Sequence, residues 1–304
     1  MKVGIFYSSI VGWQTAPAKA QVMTNFAEGV KKHGDIAIQY TNIQQQIGDI
    51  NAGLILGYTL EPGHRQQIIL NLEKREIPII YCDSDIFVYG KANTECLRYS
   101  VNGVYANKGD YFLNLPRDTS KIQKILDFHN LTVKPWRSNG EHVLILGQRT
   151  VGWNMLGLNG IDWLIDIVQR VRAVTDRPII IRLHPGDRGH YKKTVAMLKP
   201  FFNQNVSISS KGDIRHDLVN AWCSVGYCST PNCVSAIEGI PVYLDSPDAS
   251  WAKNIAFTDL KQIDKPPLPD RTQWLHDIAH IHYLTQEILD GVYWERFKTA
   301  YKSL

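Results

Sequence analysis

Several signatures are missing from this chain, and each absence removes a class of chemistry. No GxGxxG follows the first predicted strand, and GxxxxGK[ST] occurs nowhere, so dinucleotide-type and P-loop nucleotide binding have no support. GxSxG is also absent, which removes the hydrolase elbow. The five cysteines (Cys82, Cys96, Cys223, Cys228, Cys233) are odd in number and form no CxxC pair, so neither a zinc site nor a disulfide framework is expected. They read as reduced thiols, hence a cytoplasmic protein. No apolar run approaches the length of a membrane span, and Met1–Tyr7 reads as a strand rather than a signal peptide. Charge of one sign is scarce too: the net value of +4 permits a polyanionic partner without demanding one.

What is present is a regular alternation of strands and helices. At 304 residues the chain is long enough for two cores. Strands are expected at Lys2–Ser8, Ile36–Tyr40, Ala52–Tyr58 and Ile77–Cys82, with helices at Ala18–His33 and His64–Arg75. Lys134–Gly140 reads as a linker, after which the rhythm restarts. Strands follow at Glu141–Leu146, Pro178–Leu183, Val206–Ser209 and Cys223–Tyr227. Helices are expected at Gly160–Val174, Tyr191–Phe202 and Asp213–Ala221. A proline cluster at 265–269 precedes two terminal helices, Arg271–His282 and Thr285–Leu304. The expected class is α/β, with two doubly wound parallel-sheet domains at 1–136 and 137–270 and a helical tail at 271–304.

In open parallel sheets, ligands sit at the carboxyl ends of the strands. Four polar clusters of the second half fall there: Gln148 and Arg149, Arg182 and His184, Lys211, and Ser229, Thr230 and Asn232. The last group opens a short helix, whose unpaired N–H groups suit an anion. Guanidinium forks pair bidentately with phosphate oxygens, so together these clusters suit a diphosphate. Glu238, two helical turns beyond Thr230, is placed for a ribose hydroxyl. Asp83 and Asp85 follow the fourth strand and leave three readings open: a metal-binding Asp-x-Asp, a general base at Asp85, or loop carboxylates that cap a turn. His64 and Trp153 are further candidates, each with an equally ordinary structural role.

Arg182-Leu183-His184-Pro185 and the later Ser229–Val242 stretch, ending in Glu238-Gly239-Ile240-Pro241-Val242, resemble the nucleotide-sugar half of GT-B glycosyltransferases of the capsular-polysaccharide type. The likeness covers roughly residues 141 to 260, and Pro231 departs from the small residue that many members carry. It implies two facing Rossmann-like domains with the terminal helices crossing back, and a donor such as a UDP-sugar. It also implies that His184, Ser229, Thr230 and Asn232 hold the donor diphosphate, Glu238 the ribose, and that Gly12 faces the donor. Asp85 would be the base. No metal or other cofactor is implied. The segment from Arg271 to Trp294 resembles the tail of phage-encoded transferases, and Ser84-Asp85-Ile86 is similar to a step in phage DNA glucosyltransferases. That implies a hydroxymethylpyrimidine in double-stranded DNA as acceptor and the host cytoplasm as location. Lys91, Arg98 and Tyr99, with Tyr105 and Lys108, would then form a basic-aromatic acceptor surface. The alternatives are a surface glycan or lipid-linked sugar as acceptor, a non-catalytic nucleotide-sugar-binding protein, and an epimerase of the same architecture.

Overall fold

A computed structural model of the chain describes residues 1–10, 16–87, 94–150 and 155–302. Its contacts divide the chain into two units: Met1–Asp85, Ala92–Ile125 and Leu275–Leu304 form one, Ile86–Lys91 and Leu126–Trp274 the other.

The first unit begins β1 (Lys2–Ile5), α1 (Ala16–Lys32), β2 (Ile36–Gln39), β3 (Ala52–Leu56), α2 (His64–Lys74) and β4 (Ile79–Asp83). β1 lies between β2 and β3, all parallel, with Val3 opposite both Ala37 and Ala52. All five residues of β3 are buried, as a central parallel strand covered on both faces requires. A fifth strand, β5 (Cys96–Val101), runs antiparallel to β4. The expectation of a basic-aromatic acceptor surface fails here for Arg98 and Tyr99. All six residues of β5 are buried, and its polar members are used internally. Arg98 donates to Asp83 at 2.9 Å and to the Ser84 carbonyl at 2.6 Å, while Ser100 donates to the Gly103 carbonyl at 2.5 Å. α3 (Lys121–His129) follows.

The second unit carries β6 (His142–Leu146), α4 (Gly160–Arg172), β7 (Ile179–Arg182), α5 (Tyr191–Leu198), β8 (Val206–Ile208), α6 (Ile214–Leu218), β9 (Ala221–Gly226), α7 (Pro231–Ile237), β10 (Val242–Leu244) and β11 (Ala256–Phe257). Its strands are all parallel in the order β11-β10-β9-β6-β7-β8. α4 shows how locally legible these elements are. Asn159 caps it by accepting from the N–H groups of Ile161 and Asp162, and Ile161, Leu164, Val168 and Val171 line one buried stripe. The linker is docked rather than free: Lys134 N–H bonds the Ile237 carbonyl at 2.8 Å and Arg137 N–H the Gly239 carbonyl at 2.7 Å. Arg271 completes that joint. It lies 4.0 Å over the Trp136 ring and donates to the Ala236 and Lys134 carbonyls.

After α8 (Thr272–His280) the tail returns to the first unit. It adds a strand as well as helices: β12 (His282–Leu284) pairs antiparallel with β5, giving the order β12-β5-β4-β3-β1-β2. Gly291, at φ 75°, splits the single helix expected over 285–304 into α9 (Thr285–Leu289) and α10 (Val292–Ala300). Tyr293, Trp294 and Phe297 are buried in the same core as Phe26 and Tyr99. Among the described residues no helix is long and apolar enough to cross a membrane.

Candidate functional site

From β6 the chain winds through β7 to β8, then returns to the other side of β6 for β9, β10 and β11. The reversal opens a crevice outside the carboxyl ends of β6 and β9, where a ligand binds in such sheets. Gly147-Gln148-Arg149-Thr150 enters it from β6, and Tyr227-Cys228-Ser229-Thr230 from β9. Gln148 is buried and bridges the two loops, its Nε2 lying 4.0 Å from Cys228 Sγ.

The loop after β7 is zipped onto the loop after β6. Gly147 N–H bonds the Arg182 carbonyl at 2.8 Å. Thr150 reaches Asp187 Oδ2 twice, through its N–H at 3.1 Å and its hydroxyl at 2.5 Å. Gly186 makes the fit possible. A Cβ there would lie 2.9 Å from Arg149 Nη2 and 3.2 Å from His184 Cε1, so the guanidinium and the imidazole both pack against its bare Cα. His184 Nδ1 accepts the Gly186 N–H at 3.0 Å. Burial, then the Arg149 charge, holds its pKa below the ordinary histidine value, with Asp187 opposing. The ring is therefore neutral at neutral pH with its proton on Nε2. An exposed guanidinium beside a half-buried N–H donor is a pair suited to a phosphate oxygen.

α7 is less open than its sequence suggests. Thr230 is the N-cap residue, but it has helical torsions (φ −54°, ψ −39°) and its side chain makes no capping bond. Pro231 has no N–H to offer. Asn232 N–H is taken by the Ser229 carbonyl at 3.1 Å and Cys233 N–H by the Thr230 carbonyl at 2.9 Å. Ser229 is buried in the loop. Asn232 is wholly buried against Gly226, where any Cβ would collide with its amide. Neither its Oδ1 nor its Nδ2 has a hydrogen-bond partner among the described residues. A buried amide left so costs on the order of 1–3 kcal/mol, an unusual expense at the floor of a crevice.

The other expected site residues lie elsewhere. Arg182 turns towards α6, donating to Asp217 at 2.7 Å and to the Lys211 and Gly212 carbonyls at 3.0 and 2.9 Å. That guanidinium is occupied as a loop clamp. Lys211 follows β8, two strands from β6, which is about 10 Å across the sheet. Glu238 ends α7 at the opposite edge of the sheet and is ion-paired with Lys134, so it ties down the linker. Asp85 is 2 % exposed with its Oδ1 3.4 Å from His282 Nε2, and Asp83 is engaged by Arg98. The two carboxylates thus serve separate partners, contrary to a shared Asp-x-Asp metal pair. Arg98 and Tyr99 lie inside β5. Gly12, Lys91 and Trp153 fall outside the described residues.

Reading the sequence missed Thr150, Gly186, Asp187 and Cys228. The signal for two of them was the turn-forming Pro185-Gly186-Asp187 directly after His184. Nothing in the sequence paired Thr150 with Asp187.

No protein-family model matches the chain, and no curated protein matches it. Solved structures do. The KpsC beta Kdo 2,4 transferase of Thermosulfurimonas dismutans superposes with a TM-score of 0.57 at 13 % identity, covering 92 % of this chain and 90 % of that one. The KpsC beta Kdo 2,7 transferase of the same organism gives 0.54 at 13 % identity, covering 97 % and 99 %. A likeness at that identity is one of fold: the chain has a GT-B-like architecture of two sheet-centred α/β units.

Proposed function

We propose that the chain is a glycosyltransferase whose second unit holds a nucleotide-sugar donor in the β6/β9 crevice. The observation that carries this reading is the Arg149–His184 pair packed on Gly186 beside the loop from β6, with Gln148 and the orphaned Asn232 amide lining the join to β9. Two structural neighbours bear glycosyltransferase names and supply the analogy. An acceptor hydroxyl attacks the anomeric carbon, the bond to the donor phosphate breaks, and the phosphate leaves with the electron pair. Arg149 and the His184 Nε2–H would stabilise that developing charge. The acceptor proton needs a base. The family resemblance points to Asp85, two residues past β4, whereas its burial against His282 favours a structural pair.

A glycan is the acceptor class adopted, in keeping with the transferases to which the fold is similar. Of the residues expected to meet duplex DNA, Arg98 and Tyr99 are internal to β5, Lys108 is exposed and Lys91 lies outside the described residues, so the DNA surface is not carried forward.

Thermal-shift screening against UDP, GDP, CMP and their sugars tests the donor site. A ligand at a hundredfold its Kd adds about 2.7 kcal/mol to the native state. The expected result is a shift with one nucleotide class that is lost in an Arg149→Ala/His184→Ala double variant. No shift with any nucleotide, or an undiminished shift in that variant, defeats the reading.

A further inference from the structure

We propose that the first unit carries a groove for an uncharged oligosaccharide, the acceptor chain of the transfer reaction; this rests on the glycosyltransferase reading above. The groove runs along α2 and has a volume of about 540 Å³, within the roughly 300–1,000 Å³ typical of ligand pockets. One wall is the α2 face presenting Gln67, Asn71 and Arg75, spaced four residues apart and therefore aligned. Facing it is the segment after β2, with Ile43 and Gln46. Its floor is Tyr40 stacked on Phe6, ring centroids 4.7 Å apart.

The chemistry of the lining selects the ligand. No aspartate or glutamate borders the groove among the described residues. Its one guanidinium, Arg75, is engaged: Nη1 donates to the Ile47 carbonyl at 3.1 Å and Nη2 to the Gly48 carbonyl at 2.8 Å, which fastens the facing segment to the end of α2. The amides of Gln46, Gln67 and Asn71 make no hydrogen bond within the described chain and are exposed. Each offers a donor and an acceptor side by side, the complement of vicinal hydroxyls. At the far end His64 Nε2 is buried without a partner, and burial lowers the pKa of the ring, so it too is neutral. A nucleotide or acidic polymer would find too little free positive charge, and for a lipid the apolar lining of Ile43, Ile47, Ile68 and the Tyr40–Phe6 floor is interrupted by the amides of Asn42, Gln45, Gln46, Gln67 and Asn71. A polyhydroxylated neutral chain satisfies amides, imidazole and the exposed Ile43 together.

The test uses the intact chain without donor. Malto-, cello- and manno-oligosaccharides and, as the acidic counterpart, oligogalacturonate are titrated calorimetrically against the wild type and Gln67→Ala/Asn71→Ala, two exposed positions whose truncation leaves the melting temperature unchanged. The expected result is binding of at least one neutral series, none of oligogalacturonate, and a loss of roughly tenfold or more in the double variant, about one hydrogen bond per amide. Binding of oligogalacturonate alone, of no oligosaccharide, or with equal affinity in the variant overturns the groove. The nucleotide thermal shift separates this from the donor reading. A nucleotide response without neutral-glycan binding removes the groove alone. Glycan binding without any nucleotide response upholds the groove and removes the transferase reading.

Discussion

Arg149 and Arg182 end or follow neighbouring strands and look interchangeable in sequence, yet the structure gives them opposite duties. Replacing Arg182 by alanine removes three hydrogen bonds and strands Asp217, whose side chain is 3 % accessible. Removing one partner of a buried pair costs about 3–5 kcal/mol. Asp217 keeps the Ser209 hydroxyl at 2.6 Å, and Arg182 is 16 % accessible, so the lower end applies, about 3 kcal/mol. For a unit of about 150 residues that lowers the melting temperature by roughly 6–12 °C. A nucleotide held in the proposed β6/β9 crevice, away from the engaged Arg182 guanidinium, should bind the surviving native protein with unchanged affinity. Arg149 is exposed, so Arg149→Ala should leave stability within about 0.5 kcal/mol. It should weaken the nucleotide by roughly 10- to 100-fold, the value of one charge-assisted bond of about 1.5–3 kcal/mol. Thermal melts and calorimetric titrations on the same three proteins read both effects. A crossed result would refute the assignment: Arg182→Ala weakening the nucleotide at an unchanged melting temperature, or Arg149→Ala destabilising the fold while binding normally.

Three further outcomes are expected. His280 is buried, bonded to the Phe112 carbonyl and next to Arg296; burial and that charge push its pKa down to about 4. Above pH 6.5 it is neutral folded or unfolded. As pH falls from 6.5 to 4 only the unfolded chain gains the proton, so roughly 2–3 kcal/mol is lost, and His280→Gln should flatten that part of the stability–pH curve; an unchanged slope disproves it. Gly29→Ala should cost about 1–3 kcal/mol despite better helix propensity, because its Cβ would run into the Ile288 carbonyl and Gly291 backbone, and proteolysis should then release the tail first; a more stable variant would count against that packing. Asp85→Asn separates base from structural pair: a base predicts a 10²–10⁴-fold fall in turnover at constant melting temperature, a structural pair with His282 predicts lost stability with turnover of the folded fraction retained.

The elements that could be read from sequence are those whose pattern is local. α4 announces itself by Asn159 and its apolar stripe, and β3 by an unbroken apolar run between glycines. β5 and β12 could not be read this way. Cys-Leu-Arg-Tyr-Ser-Val looks half solvated until Asp83, the Ser84 carbonyl and the Gly103 carbonyl arrive from elsewhere to satisfy Arg98 and Ser100. His282–Leu284 has three residues and becomes a strand only because β5 offers an edge. Strand pairing across nearly two hundred residues leaves no local trace.

The same division explains the site. Strand ends identify which loops border the crevice, so Gln148, Arg149, His184 and the start of α7 were all legible from topology. Which cation stays available was not, because that depends on where the nearest anion and carbonyls are buried. Asp217 lies 35 positions after Arg182 and claims it; Arg149 has Gly186 beneath it and, among the described residues, no carboxylate that claims it. Glu238 met the same fate through Lys134, 104 positions earlier. A charged side chain at a sheet edge is thus a ligand for substrate only when the fold has no prior use for it. In this chain that condition favours Arg149 over Arg182 for the proposed donor site, with a neutral His184, held by a backbone N–H, beside it.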